Sequence, residues 1–138
     1  MDYDEPDLTV LVAESDDDTR YLLKCMLELK GFLVLEAKDG QQAIDTTLYK
    51  RPDLLLIQLK LPVVGGFYAV RQIRKHADLQ NMPIVAMSVN NPTTNHNLAL
   101  AAGCNAHVQD PLEFDRLEAL LDRLLPGNRV PLASALVQ

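Results

Sequence analysis

The sequence lacks a long apolar run, which argues against a membrane-spanning protein. No stretch approaches the roughly 18 consecutive apolar residues that a bilayer-spanning helix requires. The acidic opening MDYDEPD also lacks the basic start and the apolar middle of a secretory signal peptide. We therefore expect a cytoplasmic protein that does not contact a membrane.

Positive charge is also scarce. The chain has 13 Lys and Arg against 19 Asp and Glu, which gives a net charge of −6 at pH 7. The basic residues do not cluster, so the chain lacks the positive surface that nucleic acids and anionic membranes require. No nucleic-acid partner is expected, and protein partners are favoured.

Cysteine is the third shortage, because the chain contains only Cys25 and Cys104. The two thiols have neither CxxC spacing nor a neighbouring His cluster, so a zinc site and a disulfide framework have no support. We expect both cysteines to be reduced and structural.

The sequence contains enough apolar residues to form the core of one folded domain. It has 138 residues, of which 48% are apolar, and a chain of this length forms a single domain with a sizeable core. The most informative stretch is PDLLLIQLKLP, in which Leu54 to Ile57 form a continuous apolar run between Pro52 and Pro62. This pattern is typical of a central strand in a parallel sheet that is covered on both faces.

Strand and helix patterns alternate along the whole chain, which predicts a parallel sheet with right-handed crossovers and helices on both faces. We expect a disordered segment over residues 1–7, one domain over residues 8–125, and a tail or linker stub over residues 126–138. The predicted strands cover residues 8–13, 32–36, 54–57, 82–88 and 105–108. The predicted helices lie around residues 16–30, 41–50, 67–73, 94–102 and 113–125.

Five motifs in order resemble the receiver domain of two-component response regulators. They are VLVAES followed by DDDTR, GFLVLEAKDGQQA, RPDLLLIQLKLPVVGGF, MPIVAMS and AAGCNAHVQDP. The resemblance covers about residues 8–125. It implies a flavodoxin-like (βα)5 fold, a doubly wound parallel sheet with strand order 2-1-3-4-5.

In that family an aspartate at the end of the third strand accepts a phosphoryl group. Two acids after the first strand help to bind Mg²⁺, and a Ser or Thr and a Lys bind the phosphate. The resemblance places the acid pair at Glu14 and Ser15, the acceptor at Gln58, the hydroxyl at Ser88 and the lysine at Asp110. Only Glu14 and Ser88 retain the expected chemistry. A neutral amide is not a usable nucleophile, and Asp110 places a negative charge where the phosphate needs a positive one.

Three further positions follow from the resemblance. A shift of one residue in the alignment would make Asp16 the metal ligand, so Glu14 and Asp16 are the candidates for weak Mg²⁺ binding. His107 stands where the family often has a Tyr or Phe that swings inward on activation; it is interpreted as a satisfied half-buried His or as a pH-sensitive contact. The bond between Asp110 and Pro111 is expected to be cis.

These residues predict a degenerate pseudo-receiver that is not an enzyme, needs no cofactor and acts through protein contacts. Its partners would be a sensor kinase, an output protein, or a second copy that binds through residues 94–125. One alternative is a phosphorelay receiver whose acceptor is another acid, such as Asp53 or Asp16. Another is a small-ligand binding module on the same fold, with its pocket at the strand ends.

Overall fold

A computed structural model describes residues 7–88, 92–109, 113–127, 129 and 131–136 of the chain. Five strands alternate with five helices, and a sixth helix follows. The strands are β1 (Thr9–Ala13), β2 (Leu33–Ala37), β3 (Leu54–Gln58), β4 (Ile84–Ser88) and β5 (Ala106–Gln109). The helices are α1 (Asp17–Leu29), α2 (Gly40–Lys50), α3 (Gly66–Arg74), α4 (Pro92–Ala102), α5 (Phe114–Leu124) and α6 (Leu132–Leu136).

The five strands form one parallel sheet in the order β2-β1-β3-β4-β5. This confirms the doubly wound flavodoxin-like fold expected from the sequence. The order reverses between β1 and β3, where the chain first winds toward one edge of the sheet and then toward the other. Open sheets of this type place functional groups outside the carboxyl ends of their strands, at that reversal point.

The core consists of two apolar layers, one on each face of the sheet. Side chains alternate along β3, so Leu55 and Ile57 enter the layer under α2, α3 and α4, whereas Leu54 and Leu56 enter the layer under α1 and α5. All four are completely buried. The continuous apolar run of β3 thus reflects a strand that is covered on both sides.

Most element boundaries lie within two residues of those expected from the sequence. A 3₁₀ turn at Ala77–Leu79 was not predicted. Within the expected C-terminal tail, residues 132–136 form the short helix α6. Residues 1–6 of the expected N-terminal segment lie outside the described residues.

Candidate functional site

Glu14 and Gln58 lie side by side at the carboxyl edge of the sheet. Ala13 of β1 is in register with Ile57 of β3, so the next residue of each strand emerges at the same place. Gln58 Nε2 donates to Glu14 Oε1 across 3.5 Å. Both side chains are buried, with 4% of Glu14 and 7% of Gln58 exposed. The amide therefore provides a donor that faces the buried carboxylate.

The remaining polar atoms of this pair also have partners in the protein. Glu14 Oε2 accepts from the backbone N–H of Asp16 at 3.2 Å, and Gln58 Oε1 accepts from the backbone N–H of Lys60 at 3.4 Å. These contacts are longer than an optimal hydrogen bond of about 2.9 Å. They nevertheless engage both oxygens of Glu14 and both ends of the Gln58 amide.

Arg20 fixes the loop that carries Glu14. Its guanidinium donates from Nη1 to the Glu14 carbonyl oxygen at 2.9 Å and from Nε to Glu36 Oε1 at 3.1 Å. The third contact is an ion pair of 2.5 Å between Nη2 and Asp17 Oδ1. Arg20 is 7% exposed, and the hydrogen bond with Asp17 is the main reason that its pKa is raised. This role of Arg20 was not predicted, since a lone Arg in the first turn of a helix resembles a surface residue.

Ser15 and Asp16 follow Glu14 in the chain but have different surroundings. Ser15 is exposed. Asp16 is the N-cap of α1, and its carboxylate accepts from the backbone N–H of Thr19 at 2.8 Å and from Thr19 Oγ1 at 2.6 Å. The hydroxyl bond of Thr19, followed by its backbone bond, holds the pKa of Asp16 below its ordinary value. Asp is among the residues most often found at this position, and its negative charge is favoured at a helix N-terminus.

The donor set does not fit a magnesium ion. Mg²⁺ requires several oxygens in nearly octahedral geometry, whereas the carboxylates of Glu14 and Asp16 are both engaged by donors from the protein. Among the residues that the structure describes, no three His, Cys, Asp or Glu gather as a metal cluster.

Gly66 allows the loop after β3 to fold tightly against the site. A Cβ atom at this position would lie 2.5 Å from the Gln58 carbonyl oxygen and 2.8 Å from the Leu59 Cα. The backbone N–H of Gly66 instead donates to the Leu59 carbonyl at 3.0 Å. The start of α3 thus rests directly on the backbone of Gln58, which limits how far that residue can move.

Ser88 and His107 form a second buried pair on the neighbouring strands. Ser88 ends β4 and is 2% exposed, while His107 lies on β5 and is 5% exposed. The Ser88 hydroxyl is hydrogen-bonded to His107 Nε2. His107 therefore points inward, has a hydrogen-bond partner and is buried rather than half-buried.

The surroundings of His107 oppose its protonation. The pKa of its imidazole is lowered first by burial and then by the nearby cationic groups of His96 and Arg116, against a smaller opposite effect of Glu113. The His96 ring lies 6.1 Å from that of His107, and Arg116 donates to the His107 carbonyl at 3.0 Å. The neutral imidazole is the favoured form of this buried residue.

Asp110 and Pro111 lie outside the described residues, so the expected charge reversal and cis bond stay predictions. The structure brings Glu14 and Gln58 together, and it places Ser88 against His107. It leaves Ser15 exposed and engages Asp16 as a helix cap.

Comparison with protein families gives one match that covers most of the domain. Residues 10–122 match the model of the response regulator receiver domain. The chain is 29% identical over 106 residues to the transcriptional regulatory protein YxdJ of Bacillus subtilis, covering 77% of this chain and 45% of that protein. It is 25% identical over 118 residues to protein PilH of Pseudomonas aeruginosa, covering 86% of this chain and 98% of that protein. The chain thus spans less than half of one relative and nearly all of the other.

Solved structures show the same fold. A response regulator of Chloroflexus aurantiacus J-10-fl superposes with a TM-score of 0.82 at 23% identity, covering 86% of this chain and 98% of that one. The receiver domain of sensor histidine kinase PA1611 of Pseudomonas aeruginosa, which has a magnesium ion in its active-site cleft, gives 0.79 at 28% identity with the same coverages. The receiver domain of Ssk1 of Saccharomyces cerevisiae, crystallised with the histidine phosphotransfer protein Ypd1, gives 0.73 at 26% identity, covering 82% and 85%.

Proposed function

The chain belongs to the response regulator receiver domain family of two-component signal transduction, and from this premise we propose that it is a pseudo-receiver that signals through protein contacts without phosphorylation. The observation that carries the proposal is Gln58 at the end of β3, with its amide turned toward the buried carboxylate of Glu14 at 3.5 Å. A carboxylate can attack a phosphoryl group, whereas a neutral amide does not.

The contacts of Glu14 also support the proposal, because they disfavour the binding of Mg²⁺ at this edge. In a receiver that binds Mg²⁺, a carboxylate at this edge has to offer oxygens to the cation. Here the Gln58 amide and the Asp16 backbone N–H already donate to Glu14, and Ser15 supplies a hydroxyl in place of a second carboxylate. We propose that Mg²⁺ binds weakly or not at all and that the domain is not an enzyme.

The alternative acceptors are less well placed than Gln58. Asp53 precedes β3, so it lies at the opposite edge of the sheet, where its Oδ2 accepts from the backbone N–H of Thr9 at 2.7 Å. Asp16 is engaged as the cap of α1. Neither contact favours attack on a phosphoryl donor bound beside Glu14.

The proposed partners are proteins of a signalling pathway, such as a sensor kinase, a phosphotransfer protein or an output protein. The Ssk1 receiver, which shares this fold, was crystallised with a phosphotransfer protein. A homodimer through residues 94–125 is a second proposed contact, and α4 exposes Leu98 and Leu100 within that range. In the part of the chain that the structure describes, no helix is long and apolar enough to cross a bilayer.

Phosphorylation is tested by mass. The purified protein is incubated with acetyl phosphate and Mg²⁺, and its intact mass is then measured. We expect no adduct on the unchanged chain and none on Gln58→Asp, because Ser15 and Asp110 still oppose metal and phosphate binding. The triple variant with Ser15→Asp, Gln58→Asp and Asp110→Lys should regain a labile adduct of one phosphate. An adduct on the unchanged chain would overturn the proposal.

A further inference from the structure

The buried pair of Ser88 and His107 contains a group that titrates near neutral pH. The imidazole of His107 is hydrogen-bonded through Nε2 to the Ser88 hydroxyl, and only 5% of the residue is exposed. A hydroxyl can donate to a neutral imidazole or accept from a protonated one, so this bond is possible in both charge states. Protonation would therefore keep the bond but place a charge in a buried site, which is costly.

The groups around His107 also resist a positive charge. The His96 ring of α4 lies 6.1 Å from the His107 ring, and Arg116 of α5 donates to the His107 carbonyl oxygen at 3.0 Å. Glu113, the N-cap residue of α5, has the opposite effect, and its Oε1 accepts from the backbone N–H of Gln109 at 3.2 Å. Burial, His96 and Arg116, in that order, outweigh Glu113 and lower the pKa of His107. The neighbouring strand β4, IVAMS, has no ionisable side chain.

The helix beside His107, α4, is weakly anchored to the sheet. Between His96 and Ala102 only the side chain of Ala99 is buried, whereas Leu98 and Leu100 are 49% and 43% exposed. His96 is the single ionisable residue in the sequence of this helix, PTTNHNLALAA. A helix that buries so little apolar surface can move at a low cost in free energy, while the sheet stays in place.

The direction of the pH effect follows from the two environments that the ring can have. An imidazole in water titrates at about pH 6.5, and the buried position of His107 lowers its pKa below that value. The inward position is therefore fully favoured above about pH 6.5 and loses stability relative to an outward position as the pH falls. Because one proton is linked to the change, the ratio of outward to inward rings should rise about tenfold between pH 7.5 and pH 5.5.

We propose that protonation of His107 switches this domain, by releasing the ring from Ser88 and moving α4 away from β5. The movement changes the surface that α4 presents, including the exposed Leu98 and Leu100, and a partner protein that binds one of the two surfaces better responds to pH. The inference deepens the proposed function and rests on it, since it names an input other than phosphorylation for a domain that acts through protein contacts.

The titration of His107 is measured by NMR from the imidazole C2–H signals, between pH 8 and pH 5 in buffer without phosphate or Mg²⁺. We expect a midpoint below 6.5 for His107. Arg116→Gln should raise this midpoint because it removes a positive neighbour, and Glu113→Gln should lower it because it removes a negative one. Arg116→Lys keeps the charge and should leave the midpoint unchanged. A His107 signal that does not titrate above pH 5, or equal midpoints in Arg116→Gln and Glu113→Gln, would overturn the proposal.

Movement of α4 is tested by amide hydrogen exchange at pH 7.5 and pH 5.5, with the rates corrected for the intrinsic effect of pH. The amides of residues 98–102 should exchange about tenfold faster at pH 5.5, whereas those of β3 should keep their rates. His107→Gln retains a hydrogen-bonding group beside Ser88 but no ionisable one, so it should abolish the difference. His76→Gln changes an exposed histidine and should retain the difference. His107→Phe is a second neutral variant in case His107→Gln does not fold.

Three results of the exchange experiment would contradict a local switch. They are an unchanged rate in α4, an equal increase in β3, which indicates global unfolding, and a difference that persists in the folded His107 variants. None of these measurements uses a phosphoryl donor. A phosphate adduct would therefore overturn the pseudo-receiver and leave the pH response standing, whereas loss of the pH response would leave the absence of an adduct unchanged.

Discussion

The buried lysine at the C-cap of α1 allows a quantitative test of the contact between this helix and α5. The side chain of Lys30 is completely buried, and its Nζ lies 2.8 Å from Glu118 Oε2 and 3.4 Å from Asp122 Oδ1. The side chain of Glu118 is 19% exposed, whereas that of Asp122 is 53% exposed. The ammonium group of Lys30 is therefore paired with one largely buried carboxylate, that of Glu118, and one exposed carboxylate, that of Asp122.

The expected loss of unfolding free energy for each variant follows from these environments. Removing one partner of a buried ion pair costs about 3–5 kcal/mol of unfolding free energy. Asp122 still faces Lys30 in Glu118→Ala, which lowers that cost to about 2 kcal/mol, and loss of the Leu132 hydrogen bond adds about 1 kcal/mol. Asp122→Ala should cost less than about 1 kcal/mol, because an exposed pair is screened by water. Lys30→Met should cost about 1–2 kcal/mol, because it leaves the Glu118 carboxylate without its cation but keeps the side-chain volume, and Glu118 still has the Leu132 N–H and partial exposure to water.

Urea denaturation at pH 7 measures these differences, and the pH dependence gives a second check. The hydrogen bond from Lys30, followed by the one from Leu132, lowers the pKa of Glu118. A carboxyl whose folded pKa is lowered stabilises the fold above its unfolded pKa, and the contribution is lost as pH falls through the folded value. The gap between the unchanged chain and Glu118→Ala should therefore shrink below about pH 4. A larger cost for Asp122→Ala or Lys30→Met than for Glu118→Ala would refute this account of the pair.

Three further predictions concern a turn, a buried imidazole and a buried thiol. Gly66→Ala should lower the free energy of unfolding in urea by about 1–3 kcal/mol, because the added Cβ would lie 2.5 Å from a backbone oxygen. Gly65→Ala should change that free energy little, because the atom nearest to its Cβ would be 3.8 Å away. Burial lowers the pKa of His107, so stability should fall below about pH 6.5, and thermal melting of His107→Phe should show a smaller loss on acidification. Burial raises the pKa of the Cys104 thiol to about 12, so in intact mass measurements at pH 8 Cys25 should be alkylated and Cys104 should not.

The succession of strands and helices and the two core layers could be predicted from the sequence because they depend on local patterns, whereas the strand order was implied by the resemblance to the receiver family. The apolar run Leu54 to Ile57 predicts a strand that is covered on both faces, and the structure places it in the middle of the sheet. Glycines and capping acids such as Asp39 mark helix ends through local chemistry, and Asp39 accepts from the backbone N–H of Gln42 at 2.8 Å. Such signals need no knowledge of distant residues.

Contacts between distant parts of the chain could not be predicted in this way. A lysine between Leu29 and Gly31 resembles a solvated C-terminal residue of a helix, yet Lys30 is buried against Glu118, which lies 88 positions later. The tail after residue 125 has no clear period, and its helix forms where Leu132 meets the domain. Arg20 is similar, because its partner Glu36 on β2 is known only after the fold brings the two residues together.

The candidate site depends both on local sequence signals and on contacts between distant residues. The hydrogen bonds between its own side chains support the pseudo-receiver proposal. A site that is built to receive a dianion and a metal keeps its carboxylates and hydroxyl ready for those ligands, and buried polar groups without a partner are costly. In this chain Gln58 donates to Glu14, and Ser88 is paired with His107. Binding a phosphoryl group there would first require these internal hydrogen bonds to break. Under the pseudo-receiver proposal, Gln58 therefore lacks a nucleophile and also supplies a donor to Glu14, so two separate barriers would oppose phosphorylation.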